Sequence, residues 1–178
     1  TGEAADRSAY DVAWVKDRDS PVDTINGFVE VYLDARSVKG AWGSMVFYVN
    51  HAKTDAIRAL VQAVESIPSR RRIVVISGAG DRRDCDIRLQ TEILGEAFDE
   101  VIIYQDDCQR GRADGEVIGL LRDGLANARR TTLTEAIRGE MLAIDTALSR
   151  LQADDLCLIL IDRIDEALAH IAVRTAEA

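Results

Sequence analysis

Two charged loops carry the side chains that are best suited to bind a small polar ligand. The first is GAGDRRD (78–84), which follows an apolar run and precedes a helical pattern. Its glycines permit tight backbone paths, the amides at a helix start attract anions, and Arg82 or Arg83 could contact a phosphate. An equally good interpretation is that Asp84 or Asp86 caps the helix and that the arginines are solvated. The stretch matches neither the Walker A loop nor the dinucleotide-binding fingerprint.

The second loop, QDDCQRGRADGE (105–116), combines carboxylates with guanidinium groups. Asp106 and Asp107 suit the cationic groups of an amino acid, whereas Arg110 or Arg112 suits its carboxylate. On residue types alone we favour the simpler interpretation of an acidic surface loop. Its local ion pairs would contribute about 0–1 kcal/mol each.

The elements around both loops indicate an α/β fold with a mainly parallel, Rossmann-like sheet flanked by helices. Continuous apolar runs such as RRIVVISG and DDLCLILI alternate with amphipathic helical stretches from about Ser44 onward. This alternation is typical of βαβ units whose sheet is covered on both faces. Loops that follow such strands lie at the carboxyl edge of the sheet, where open α/β sheets bind ligands.

The chain divides where this alternation begins. Residues 1–43 are predicted to form a β-rich extension, and residues 44–178 an α/β domain. Within the α/β domain, the stretch TLTEAIRGEMLAIDTALSRLQ (132–152) is predicted to be one continuous helix.

Composition and charge limit the partners. The formal net charge of −9 over 178 residues argues against nucleic acid or an anionic membrane surface, since both require a basic face. No apolar run approaches the roughly 20 residues of a membrane span. Cys85, Cys108 and Cys157 form no CxxC pair, which is typical of reduced thiols in a cytoplasmic protein. With His51 and His170 as the two histidines, no metal site is expected.

Together the two loops resemble a known family. GAGDRRDCDI, AFDEVIIYQDDCQRGRADGEV and AIDTALSRLQADDLCLIL are similar to the C-terminal domain of the cyanophycin synthetases, which are Mur-ligase-type amide ligases. The likeness extends from about Ser69 to the end of the chain. It implies a mobile lid over an ATP-binding core, and a reaction that activates a carboxylate as an acyl phosphate before an amine attacks it. It also implies Mg²⁺ on the ATP and arginine as the amine donor.

The resemblance further implies which residues meet the two substrates. The nucleotide side would include His51, Gly80, Asp81 and Arg83. The amino-acid side would include Asp106, Asp107 and Arg110. No residue of this chain is expected to be catalytic by itself.

The chain departs from the family pattern before its first long helix. Mur-type lids carry a DYxHNP-like motif there, whereas this chain has YVNHAK (48–53). His51 is retained, but Tyr48 and Lys53 replace the aspartate and the proline. The Walker A loop, which belongs to the core domain, is absent from the sequence. We therefore expect ATP and Mg²⁺ only when the chain is joined to a ligase core, and no tight binding without it.

The front of the chain resembles a different family. The stretch from about residue 9 to residue 58, which contains NGFVEVYLD, is similar to dipeptidyl peptidase III, a zinc metallopeptidase. The likeness implies that Glu30 and Tyr32, which share one face of a strand, hold a peptide N-terminus. We favour the simpler interpretation of a strand with one solvated face. The HExxGH-type zinc helix is missing, so hydrolysis is not expected.

The two likenesses meet near residues 45–66, which suggests a fusion, a recombined fragment or an engineered chimera. Three functions follow in order of preference. The first is a lid domain of an ATP-dependent amide ligase that is inactive in isolation. The second is a non-enzymatic chimeric or scaffold fragment with remnant sites, and the third is a peptide-binding remnant of the peptidase.

Overall fold

The computed structural model describes residues 29–33, 44–49, 54–105 and 109–176. The strands are β1 Val29–Leu33, β2 Ser44–Val49, β3 Arg71–Ile76, β4 Glu100–Gln105, β5 Leu133–Arg138 and β6 Asp155–Leu160. The helices are α1 Thr54–Glu65, α2 Asp84–Ala97, α3 Glu116–Leu125, α4 Glu140–Arg150 and α5 Ile164–Ala176. In these ranges no helix has both the length and the apolar character that crossing a membrane requires.

The six strands form one sheet in the order β1-β2-β6-β3-β4-β5. From β2 to β5 every neighbouring pair is parallel, and a helix supplies each crossover between consecutive parallel strands. The predicted α/β fold with a mainly parallel sheet is therefore confirmed. β1 joins the same sheet by antiparallel pairing with β2, so the front of the chain contributes an edge strand. The predicted boundary between residues 43 and 44 stays a prediction.

Hydrophobic side chains from both faces of the sheet form two core layers. On one face Val74 packs with Leu94 of α2 and Leu121 of α3. On the other face Ile73 packs with Ile144 of α4. Neighbouring strand residues thus belong to opposite layers, as the two-residue period of a strand requires. Because both faces are covered, β4 and β6 are buried at every position, which explains their continuous apolar sequence.

The prediction of one helix over residues 132–152 is wrong. The structure divides this stretch into β5 and α4, which are joined at Gly139 with a φ of +96°. Leu133, Ala136 and Ile137 have the i, i+3, i+4 spacing of a helix, and this spacing concealed the strand. Gly139 marks the break, because glycine adopts a positive φ without steric cost. The correction adds the turn between β5 and α4 to the carboxyl edge of the sheet.

Candidate ligand site at the carboxyl edge of the sheet

The strand order identifies where a ligand is expected. From β3 the chain runs outward to β4 and β5, and then returns to β6 on the other side of β3. Open α/β sheets bind ligands beyond the carboxyl ends of the strands at such a reversal. Here the reversal lies between β3 and β6, so the β3 loop borders it. The β3 loop (77–83) and the β4 loop (109–115) both leave this edge. Residues 106–108, between β4 and the β4 loop, lie outside the described residues.

The β3 loop and the β4 loop are in direct contact. Arg110 donates a hydrogen bond from Nη1 to Oδ2 of Asp81 across 3.1 Å. The backbone at Gly80 lies so close to the carbonyl oxygen of Gln109 that a Cβ at position 80 would sit 2.1 Å from it. Only glycine permits so close an approach between two backbones. The structure therefore brings together residues that the resemblance assigned to two separate sites, one for nucleotide and one for amino acid.

Arg112 connects the two loops through a guanidinium with several partners. It donates to the carbonyl oxygens of Gly80 and Arg82, each across 2.6 Å. It also contacts the carboxylates of Asp84 at 2.8 Å and Glu116 at 2.6 Å. The hydrogen bonds that Arg112 donates to these carboxylates, with that to Asp84 the stronger, raise the pKa of Arg112. A planar fork of five N–H groups is the side chain that can serve this many acceptors at once.

The ion pair between Asp81 and Arg110 shapes the local electrostatics and backbone. The hydrogen bond from Arg110 is the largest influence on the pKa of Asp81 and lowers it. Desolvation raises this pKa by less than the hydrogen bond lowers it, and the positive charge of Arg110 lowers it again. Arg110 itself has a φ of +49° and is followed by Gly111 at +89°. A non-glycine residue in this region costs on the order of 1–3 kcal/mol and persists where the surroundings hold it. The observed strain makes Arg110 a candidate for a functional role.

The first turn of α2 is acidic, and this limits how a phosphate can bind. Arg83 occupies the N-cap position without a side-chain cap hydrogen bond, and it pairs with Asp86 across 2.8 Å. The hydrogen bond from Arg83 lowers the pKa of Asp86. Carboxylates of Asp84 and Asp86 in the first turn already complement the helix dipole. The acidic first turn therefore makes the start of α2 less favourable for an anion than the arginine side chains beside it.

A polar group at the ends of β4 and β5 was not predicted from the sequence. Gln105 is 9% exposed and accepts a hydrogen bond from the amide of Gly115 across 2.9 Å. The carboxylate of Asp114 accepts hydrogen bonds from both Gln105 and Arg138. Gln105 and Arg138 are partners in the register of the two strands. Because residues 132–152 were predicted to be helical, the pairing of β5 with β4 that places Arg138 beside Gln105 could not be foreseen.

Glu140 is a second group that was not predicted. Its side chain has no exposed surface, and its carboxylate accepts hydrogen bonds from the backbone amides of Asp162 at 2.6 Å and Arg163 at 3.1 Å. The hydroxyl of Tyr104 shares its one hydrogen between this carboxylate, at 3.3 Å, and the carbonyl oxygen of Leu160, at 3.0 Å. Glu140 thus fixes the approach to α5 against the start of α4. A buried carboxylate of this kind is stable because its oxygens have hydrogen-bond donors.

The remaining predicted site residues are placed only in part. His51, Asp106 and Asp107 lie outside the described residues. Glu30 and Tyr32 lie in β1, where the backbone alone is described, in antiparallel pairing with β2. In the part of the chain that the structure describes, no group of three or more His, Cys, Asp or Glu residues is placed to hold a metal ion.

Comparison with protein-family models identifies the family of the chain. The model described as Mur ligase, glutamate ligase domain matches residues 38–160, which is more than half of the chain. The chain therefore belongs to this family. A second model, peptidase family M49, matches residues 1–70, so the two matches share residues 38–70.

Individual relatives agree with this assignment. Cyanophycin synthetase of Trichormus variabilis is 32% identical over 136 residues, which cover 76% of this chain and 15% of that protein. The chain therefore spans only a small part of this curated relative. A solved UDP-N-acetylmuramoyl-L-alanyl-D-glutamate–2,6-diaminopimelate ligase has a TM-score of 0.62 at 17% identity, over 83% of this chain and 32% of that one. E. coli FolC in complex with ADP has a TM-score of 0.55 at 19% identity, over 75% and 30% of the two chains. These two likenesses show the shared fold.

Proposed function

We propose that the chain is the lid domain of an ATP-dependent ligase that joins a carboxylate to an amino acid, of the cyanophycin synthetase or Mur type. The domain would contribute to nucleotide and arginine binding and would not be catalytic alone. Family membership supports the proposal. A relative of which the chain covers 15% has ample length for a separate ligase core, which would be the partner of this domain.

The observation that carries the proposal is the contact between Asp81 and Arg110. The family resemblance assigns Asp81 to the nucleotide side and Arg110 to the amino-acid side, and their side chains lie 3.1 Å apart. In amide formation the activated carboxylate and the attacking amine must approach to about 3–3.5 Å. Two binding loops that touch each other are compatible with this requirement, whereas loops at distant edges of the sheet would not be.

Each residue of the two loops has a role in the proposal. Arg110 would pair with the carboxylate of the incoming amino acid, and Asp106 with Asp107 would attract its cationic groups. On the nucleotide side Gly80 and Asp81 would lie beside the ligand with His51, and Arg83 would contact a phosphate. ATP, with Mg²⁺ on its phosphates, would supply the phosphoryl group that activates the acceptor carboxylate. Because the reaction consumes ATP, the proposal places the protein in the cytoplasm.

A titration of the full chain with ligands, followed by amide NMR, tests the proposal. L-arginine is expected to shift the amides of Gly80, Asp81 and Arg110. L-citrulline, which has nearly the same shape but a neutral side-chain end, is expected to bind more weakly. Arg110→Ala should abolish the response. Arg129→Ala is the matched control, because Arg129 is 86% exposed and pairs with Glu96.

Two results would contradict the arginine assignment. If 2,6-diaminopimelate shifts these amides and arginine does not, the ligase proposal stands with a different amino acid. Without a ligase core only weak binding is expected, so the titration extends to ligand concentrations that detect weak binding. If neither amino acid nor Mg-ATP causes a shift there, the second function, a scaffold fragment with remnant sites, replaces the ligase proposal.

The match of residues 1–70 to peptidase family M49 favours a second candidate for the front of the chain. We propose that about residues 9–58 derive from a segment of the dipeptidyl peptidase III kind, joined to the ligase domain as a fusion or chimera. Glu30 and Tyr32 would then be a peptide-binding remnant without a zinc motif. A short peptide should shift the amides of both residues in the wild type and not in Glu30→Gln. An unchanged spectrum would overturn this candidate.

A further inference from the structure

The contacts of Arg112 distinguish it from the other arginines at the carboxyl edge. Its side chain is 16% exposed, compared with 37% for Arg110 and 79% for Arg83. Its guanidinium has acceptors on three segments, namely the β3 loop, the first residue of α2 and the first residue of α3. Because these acceptors engage the guanidinium, Arg112 is poorly suited to bind a ligand itself.

Several contacts join the β3 loop to the β4 loop around Arg112. The backbones of Gly80 and Gln109 lie close together, and Arg112 links the same two residues. Its guanidinium donates to the carbonyl oxygen of Gly80. Its backbone amide donates to the carbonyl oxygen of Gln109 across 3.1 Å. Between Gln109 and Arg112 the chain passes through the left-handed residues Arg110 and Gly111. Such a backbone keeps its conformation only while neighbouring contacts hold it.

We propose that Arg112 is a positioning residue of the ligand site, which clamps the β3 loop to the β4 loop and thereby keeps Asp81 and Arg110 face to face. This inference rests on the proposed function as far as amino-acid binding is concerned. The geometric part of it concerns this chain alone. A lysine cannot replace the clamp fully, because its donors share a single nitrogen, whereas a guanidinium spreads its donors over a fork.

The test measures the carboxyl titration of Asp81 by NMR in the full chain. In the wild type Arg110 holds the pKa of Asp81 below the ordinary value of 3.8. In Arg112→Gln this pKa is expected to rise toward 3.8, because the two loops separate and Arg110 no longer faces Asp81. Arg112→Lys should show an intermediate value. Arg129→Gln, which removes an arginine from an exposed pair elsewhere, should leave the titration of Asp81 unchanged.

A second variant separates the loops without changing any charge. In Gly80→Ala the new Cβ would collide with the carbonyl oxygen of Gln109, 2.1 Å away, so the loops must move apart. The pKa of Asp81 is expected to rise in this variant as well. If Arg112→Gln or Gly80→Ala fails to fold, the other of these two variants and Arg112→Lys still decide whether contact between the loops sets the pKa of Asp81.

Arginine binding supplies the second readout. If the wild type binds arginine, Arg112→Gln should weaken binding by about tenfold or more, since misplacing a recognition group by about 1 Å is enough for losses of that size. A variant with a lower melting temperature but an unchanged Asp81 titration would overturn the proposal and leave Arg112 a merely structural residue. If the wild type binds neither an amino acid nor Mg-ATP, the proposed function fails, while the titration of Asp81 still decides whether Arg112 positions the pair.

Discussion

The two edges of the sheet use the same side-chain types and differ in how deeply they bury them. At the amino edge, Glu100 and Asp155 are 2% and 1% exposed, and arginines surround both. At the carboxyl edge, the side chains of Asp81 and Arg110 are 55% and 37% exposed. Both edges are therefore built from arginine–carboxylate pairs. Of these carboxylates, Asp81 is far more accessible to a ligand than Glu100 or Asp155.

The amino-edge network ties the starts of three strands together. Asp155, at the start of β6, accepts hydrogen bonds from Arg71 at the start of β3 across 2.6 Å and from Arg70 across 3.3 Å. Glu100, at the start of β4, pairs with Arg150 at the end of α4 and with Arg71 across 3.8 Å. Arg71 also donates to the carbonyl oxygen of Arg150 across 2.5 Å. The network thus closes the end of the sheet that lies opposite the candidate site.

Burial changes how easily an ion pair can exchange partners. A buried carboxylate that loses its arginine keeps an uncompensated charge without solvation. Replacing that arginine by a ligand therefore costs much free energy. An exposed pair contributes little to stability and can exchange one partner for a ligand carboxylate at low cost. The amino edge therefore suits stability, and the carboxyl edge suits recognition.

The largest expected effect comes from breaking the amino-edge network. Asp155→Asn removes the charge that Arg70 and Arg71 share, and the free energy of unfolding should fall by about 3 kcal/mol. Urea unfolding followed by circular dichroism measures this change. Glu96→Gln is the control, since Glu96 belongs to an exposed pair with Arg129, and it should have little effect. Equal losses in the two variants would contradict the difference between buried and exposed pairs.

A smaller effect is expected at Asp99, which lies next to the same network. Burial raises the pKa of Asp99, but hydrogen bonds from the side chain of Arg130 and the amide of Arg72 outweigh it, so the pKa lies below the ordinary 3.8. The carboxylate form therefore stabilises the fold above the unfolded pKa, and this contribution is lost as the pH falls through the folded pKa.

The measurement at Asp99 compares the wild type with Asp99→Asn. The free energy of unfolding should differ by about 1 kcal/mol at neutral pH, and the difference should shrink as the pH falls below 3.8. Urea titrations between about pH 6 and about pH 3 follow this change. A difference that stays constant over that range would show that the charge of Asp99 is not responsible.

The smallest effect on stability is expected at the carboxyl edge. Arg83 is 79% exposed and pairs with Asp86 within the same helix start, so Arg83→Gln should shift the melting temperature by less than about 1 °C. The same variant should weaken the amide shifts caused by Mg-ATP, because Arg83 is proposed to contact a phosphate. If Arg83→Gln lost as much stability as Asp155→Asn, exposed pairs at the carboxyl edge would matter as much for stability as buried pairs at the amino edge, which would contradict the comparison.

Several features of the fold could be predicted from the sequence because they depend on local patterns. The apolar runs of β3, β4 and β6 identify strands covered on both faces, and the loops that follow β3 and β4 were thereby assigned to the carboxyl edge. β5 was missed because its apolar spacing also fits a helix. That error hid Arg138, which reaches Asp114 only because β5 pairs with β4.

Local sequence patterns were enough to predict the mainly parallel α/β architecture and to place Asp81, Arg83 and Arg110 in loops beyond strand ends. Packing in three dimensions places Asp81 against Arg110 and bonds Arg112 to the backbone of the neighbouring loop. The physical reason is that two acceptors of Arg112 are backbone carbonyls on another loop. Every residue has a carbonyl group, so no sequence pattern marks the ones that an arginine will meet.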